Sequence, residues 1–205
     1  DRRQRQMCIR DRPSVTVATT LENEGYNLST LVMGTQTGTH VDAPYHFSNS
    51  GETIDNMELD FFLGEAVVVR VTDKKADEAI TLEDIEPYKE EICEGKIVLF
   101  NTNWYKTRGT DEFFHHPYVN GDVAKYLVDN GVRFIGIDTI NADQTGGTEF
   151  PVHDLFSEKR LMIGENWAFF DQIDFERPYV IALPMKLIGC DGSPVRAIAV
   201  QWEEE

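Results

Sequence analysis

The sequence predicts one α/β domain with a mixed central β-sheet flanked by helices. Three observations predict it. Five short segments are rich in β-branched and aromatic residues, a helical pattern runs directly into one of them across residues 120–138, and an Asp191-Gly192 turn signal separates two late apolar runs. A chain of 205 residues, 41% of them hydrophobic, is long enough to bury one sizeable core.

In chain order, residues 1–12 (DRRQRQMCIRDR) are basic and lack an apolar pattern, and QRQMCIRDR resembles translated sequencing-adapter sequence. They are read as a non-native or disordered leader that replaces the natural N-terminus and a first strand or two, which leaves 13–205 as the domain. Strands are expected at 65–71 (EAVVVRV), 96–101 (KIVLFN), 132–138 (VRFIGID), 179–183 and 197–202. Thr81-Leu82-Glu83-Asp84 has the form of a capping box opening LEDIEPYKEEI, with Pro87 limiting its regularity. Across 120–130, Val123, Ala124, Leu127 and Val128 keep the helical spacing, with Asn120 as cap and Gly131 as stop. Asp191-Gly192 reads as a hairpin turn that makes the last strands antiparallel, and 203–205 as a solvated acidic end.

Charge narrows the function classes. With 36 acidic against 19 basic residues and a formal charge of -17, the chain repels nucleic acid and anionic membrane surfaces, leaving a small molecule or another subunit as partner. Cys8, Cys93 and Cys190 are odd in number and form no CxxC, so neither a disulfide framework nor a thiolate zinc knuckle is expected, and a reducing, cytoplasmic setting is. No apolar run approaches the ~20 residues that span a bilayer.

The chemistry concentrates in 36–47, QTGTHVDAPYHF. If this segment is extended throughout, Gln36, His40 and Asp42 share a parity and converge on one point, while Pro44 ends the strand and turns His46 over the same place. Imidazole and carboxylate donors in this pattern suit a divalent ion, which lowers the pKa of water from ~15.7 toward ~7 and so favours hydrolysis. The bland alternative is a polar edge strand that carries these residues by accident. Two ligands are too few for a site, and His153, at the start of a short helix, and Glu165, at a strand end, are the residues best placed to complete it; each could equally be a helix-start residue or a surface charge.

These residues resemble a family, the metal-dependent cyclase-like hydrolases that include bacterial kynurenine formamidase, isatin hydrolase and a dienelactone hydrolase. The signature H-x-G-T-H-x-D-x-P-x-H is matched at 36–46 except at its first position, the later His and Glu are matched by His153 and Glu165, and LIGCDGSPVRAI at 187–198 is matched as well. The resemblance implies a partial barrel of the swivelling β/α type. It makes His40, Asp42, His153 and Glu165 ligands of one or two divalent ions, zinc or manganese, and His46 the general acid/base that takes a proton from water and delivers it to the leaving amine or alkoxide. It implies cleavage of an amide or lactone in a small aromatic or cyclic substrate, with N-formylkynurenine as the named candidate and isatin or lactone ring opening as the alternative, in a homo-oligomer, dimer or tetramer. Gln36 departs from the pattern: one ion is lost, its amide oxygen ligates a harder metal, or it moves to substrate binding. A metal- or ligand-binding protein with a decayed site is the rival from another class.

Other residues carry less. Adjacent side chains in His115-His116-Pro117 diverge, so substrate-loop contact is favoured over ligation. Asp138 is either a functional group at a strand end or a turn cap. Trp104, Tyr105, Phe113 and Phe114 form either an aromatic wall for a ring-bearing substrate or core and interface. Gly146-Gly147 lacks the context of a nucleotide loop.

Overall fold

The computed structural model describes residues 13–202; the expected leader and acidic end lie outside the described residues. Twelve strands are present among the described residues: β1 (Ser14–Thr19), β2 (Leu28–Val32), β3 (His40–Asp42), β4 (Leu63–Arg70), β5 (Ala79–Ile80), β6 (Ile97–Asn101), β7 (Tyr118–Val119), β8 (Phe134–Ile137), β9 (Met162–Glu165), β10 (Tyr179–Ile181), β11 (Gly192–Pro194) and β12 (Ile198–Val200). Four helices accompany them: α1 (Leu21–Glu24), α2 (Leu82–Ile85), α3 (Gly121–Asp129) and α4 (Pro151–Glu158).

Eight strands form one mixed sheet in the order β11-β3-β9-β8-β6-β4-β10-β12. Its middle, β4-β6-β8-β9, is parallel, and antiparallel strands flank it on both sides. All five segments expected as strands become members. The apolar run of β6 is buried at every position, as a central parallel strand covered on both faces requires.

Alternate residues feed two cores. Val67, Val98, Phe100, Ile135, Ile137 and Ile163 meet α3 and α4 on one face, through Val123, Leu127, Val152 and Phe156. Ala66, Ile97, Leu99, Phe134 and Met162 face the other way onto Trp167, Phe170 and Ile173. The helix expected at 120–130 is α3: the Asn120 side chain accepts the Asp122 N–H at 2.8 Å, and Gly131 beyond it has φ +79. The capping box forms too, with the Thr81 N–H donating to the Asp84 carboxylate at 2.7 Å, but α2 gives way within four residues to a 3-10 turn containing Pro87.

The Asp191-Gly192 hairpin does not form. The segments on its two sides run to opposite ends of the sheet, β10 beside β4 and β11 beside β3, so the turn residues open an edge strand instead. The late strands expected at 179–183 and 197–202, β10 and β12, do pair antiparallel with each other, but the chain between them crosses to β11 at the far edge instead of turning tightly at Asp191-Gly192. Gly192 serves close approach: a Cβ there would lie 2.6 Å from the Val41 carbonyl oxygen.

Trp167 couples the second core to the edge strands. A Cβ on Gly164 would lie 2.7 Å from its indole, which packs against that backbone and donates its N–H to the His40 carbonyl at 3.0 Å. Trp167→Ala is therefore expected to lower stability by about 3–5 kcal/mol, read as a drop in the denaturant midpoint at unchanged slope.

The β1-β2 ribbon stands apart. Every residue but Thr19 is exposed, including Val15, Val17, Leu31 and Val32.

Candidate metal centre

Strand alternation puts His40 and Asp42 on one face of β3, and antiparallel pairing sets Glu165 of β9 directly opposite His40. Helix α4 packs on that same face and carries His153 in its first turn. Asp143 accepts the backbone N–H groups of Val152 and His153, each at 3.0 Å, and so caps the helix that Pro151 begins.

The four side chains converge. Nε2 of His40 lies 3.5 Å from Asp42 Oδ1 and 3.6 Å from Glu165 Oε2, while Nε2 of His153 lies 3.6 Å from Asp42 Oδ2 and 3.2 Å from Glu165 Oε1. Each imidazole thus faces one oxygen of each carboxylate. Four ligands about 2.1 Å from a tetrahedral ion are separated by roughly 3.4 Å, whereas charge-assisted hydrogen bonds close to roughly 2.7–2.9 Å. The spacings around His40, Asp42 and Glu165, the three that lie mutually close enough to share one ion, match the edges of a coordination shell, while His153 faces the other oxygen of each carboxylate.

Tautomers and charge agree. His40 Nδ1 is 2.7 Å from the Gly38 carbonyl and His153 Nδ1 is 2.7 Å from Asp143 Oδ2, which leaves Nε2 of both rings facing the centre. Both oxygens of Asp42 are buried without a hydrogen-bond donor. Burial pulls the His40 imidazole down, but Asp42 and Glu165 override it and hold it at about 9; burial is likewise overcome at His153, chiefly by Glu165, which leaves it well above its ordinary value. Burial pushes Glu165 up, and His153 and His40 outweigh it, holding the carboxyl well below its usual range. The two carboxylates therefore call for two positive charges. A divalent cation supplies them with both imidazoles neutral, the form that ligates, so the residues fit such an ion.

Asp143 had no sequence signal beyond standing ten positions before His153, and it was missed. Asp143→Ala is expected to weaken metal affinity by about 10–100-fold, measured by competition with a chromogenic chelator.

Pro44 ends β3 as expected and begins the 3-10 turn Pro44–His46. The His46 ring centre lies 6.1 Å from that of His153, and His46 Nδ1 is 2.9 Å from Asp191 Oδ2. Burial pulls this imidazole down, but the Asp191 hydrogen bond and the charge of Asp42 leave its pKa raised. Asp191 was read only as a turn residue, although it sits within the closing motif at 187–198.

Gln36 is not on the strand. Gly38 has φ +68, and residues 35–39 form a turn and bend, which breaks the parity argument that grouped Gln36 with His40 and Asp42. Its Nε2 donates to Asp191 Oδ2 at 3.0 Å, and its Oε1 is buried without a partner.

The remaining candidates separate. His115 is exposed beside Asp77, and His116 is buried between the Pro117 carbonyl and the Thr145 hydroxyl, so the pair diverges. Asp138 is a turn organiser: its carboxylate accepts the N–H groups of Thr102 and Asn103, and burial raises its pKa to about 6. Trp104 and Phe113 are core residues. The rings beside the centre are Phe47, 4.3 Å from His153 and 4.9 Å from His46, and Phe150, 5.4 Å from Phe47. A cavity of about 480 Å³, open to solvent and lined by Leu99, Trp167 and Val180 together with the exposed Arg108 and Phe169, contains none of the four converging residues.

Comparison with known proteins places the fold. Residues 6–144, more than half of the chain, match the Cyclase family model, described as "Putative cyclase". A kynurenine formamidase of Bacillus mycoides (strain KBAB4) is 31% identical over 186 residues, covering 90% of this chain and 86% of that protein. Isatin hydrolase A from Labrenzia aggregata, solved with benzyl benzoate, superposes with a TM-score of 0.84 at 25% identity over 92% of this chain and 82% of its own. A predicted metal-dependent hydrolase from Bacillus stearothermophilus gives a TM-score of 0.76 at 29% identity over 92% and 87%. With its mixed sheet and converging histidines and carboxylates, the chain belongs to the Cyclase family of hydrolases.

Proposed function

We propose that this protein is a metal-dependent arylformamidase-like hydrolase that cleaves an amide C–N bond in a small aromatic substrate, with N-formylkynurenine as the first candidate. The observation that carries the reading is the convergence of His40, Asp42, His153 and Glu165 at coordination-shell spacing, with His46 held alongside. His40, Asp42 and Glu165 would share one ion, with His153 facing the other oxygen of each carboxylate. The two imidazoles, each facing both carboxylates, accommodate one ion or two, and zinc or manganese suits the mixed nitrogen and oxygen donors. Gln36 can join only through Oε1, since Nε2 is committed to Asp191.

When bound, a divalent ion supplies polarisation of the substrate carbonyl and acidification of water. His46 does the proton work. With Nδ1 on Asp191, its Nε2 accepts a proton from the attacking water and returns it to the leaving nitrogen as the C–N bond breaks, leaving an amine and a carboxylic acid that gives its remaining proton to solvent. Phe47 and Phe150 offer the substrate ring an apolar side.

Ring opening of isatin or a lactone is the second reading, favoured by the superposition on isatin hydrolase A. We also assign the protein to the cytoplasm and to a homo-oligomer. Cys93 and Cys190 are free, and no described helix is long and apolar enough to cross a membrane. An exposed two-stranded ribbon is marginal alone and gains from a second copy.

The test is metal content and hydrolysis of N-formylkynurenine and isatin by chelator-stripped and reconstituted protein. Turnover that returns with metal supports the reading, and the preferred substrate separates its two forms. Tight metal binding without turnover of any formamide, imide or lactone makes this a binding protein with a decayed site, and failure to bind metal removes the mechanism.

A further inference from the structure

We propose that Asp191 is the positioning residue for His46, clamped in place by Thr35 and Gln36 so that the imidazole is held as the Nδ1–H tautomer with Nε2 free for proton transfer. The proposal rests on the hydrolase reading for its catalytic meaning and on geometry for its substance. Every described side-chain contact of the Asp191 carboxylate comes from a group that can donate. Oδ1 accepts the Thr35 hydroxyl at 2.7 Å, and Oδ2 accepts the Gln36 amide at 3.0 Å and lies 2.9 Å from His46 Nδ1. His46 Nδ1 also lies 3.3 Å from Gln36 Nε2, but Asp191 Oδ2 is nearer and can only accept, so in the neutral ring the proton sits on Nδ1 and the other nitrogen carries the lone pair.

Backbone contacts fix the carboxylate in turn. The Asp191 carbonyl accepts the Ala43 N–H at 2.9 Å, and the next residue, Gly192, pairs with Asp42 across β3-β11. Bulk at Gly192 is excluded, because a Cβ there would lie 2.6 Å from both the Val41 carbonyl and Gln36 Nε2. One edge strand thus registers the Asp191 carboxylate against the strand that carries His40 and Asp42. Gln36 belongs to this clamp through Nε2. The sequence set it beside the ligands, and the fold sets it beside the residue that orients the acid/base.

A merely structural Asp191 would hold β11 against β3 and nothing more, and two readouts separate the roles. The first is the ¹⁵N signature of His46 in reconstituted protein, assigned by its loss in His46→Ala. The natural chain should show protonated Nδ1 and bare Nε2, and Asp191→Asn, whose amide N–H₂ can face Nδ1, should shift the ring toward Nε2–H. The second is kinetic: Asp191→Asn should lose about 100-fold or more in kcat while KM moves less than about threefold and metal content is unchanged. Gln36→Leu, which removes one clamp donor and leaves the Asp191 contact, should lose less than about tenfold, and it replaces Asp191→Asn if that variant does not fold, with the tautomer population as readout. An unchanged tautomer, or a loss of kcat that tracks loss of metal, overturns the proposal. Absence of turnover in the natural chain overturns the hydrolase reading, while the tautomer measurement still decides the clamp.

Discussion

Asp42→Ala is expected to abolish divalent-metal binding and reduce hydrolysis to background while leaving the metal-free fold intact. Asp42 counts twice in the centre, offering Oδ1 to the His40 side and Oδ2 to the His153 side. Its loss leaves one carboxylate for two imidazoles. Neither oxygen has a hydrogen-bond donor, so truncation breaks no hydrogen bond and removes only one of the two carboxylates that face the buried imidazoles. The natural chain should gain about 2.7 kcal/mol of stability when free metal is raised to about 100 times its dissociation constant, and the variant should gain none. Denaturant titrations with and without metal measure both. A variant that keeps the metal-dependent gain would remove Asp42 from the site.

His46→Ala is expected to lower kcat by about 10²–10⁴-fold with metal content unchanged, because its ring approaches the ligands without joining their shell. The pH profile carries the sign. Asp191 and Asp42 outweigh burial and raise the imidazole pKa, so the ring keeps its proton to higher pH than an ordinary histidine and serves as base only above that point. The acidic limb of kcat/KM in the natural chain should therefore lie above pH ~6.5 and vanish in His46→Ala. A limb of unchanged position in the variant would assign the titration to another group.

Much of this was legible because the signals were local. The run at 97–101 is apolar on both faces and becomes the central strand β6; Asn120 and the 3-4 spacing after it mark α3; His40, Asp42 and His46 lie within seven residues of one another. His153 and Glu165 sit at a helix start and a strand end, as expected. The failures share a cause. Gln36 was aligned by strand parity, which a left-handed Gly38 interrupts. Asp191 was read from its neighbour Gly192 as a hairpin, when its partner is 145 positions away at His46. Trp104 and Phe113 take the core alternative offered for 104–114, and the rings at the site, Phe47 and Phe150, were not singled out. Periodicity reports which face a side chain takes, and says nothing of which distant strand will lie beside it.

The pairing of β11 with β3 also sets when the protein becomes competent. Contacts of such sequence separation form late, since the intervening chain must be organised before closure repays its entropy. During synthesis His40, Asp42, His153 and Glu165 all leave the ribosome before Asp191, so a nascent chain that has reached Glu165 holds its ion-binding groups with the proton-transfer ring still unoriented. Activity then waits on the arrival of β11, and metal capture by a chain that stops short of it carries no hydrolysis.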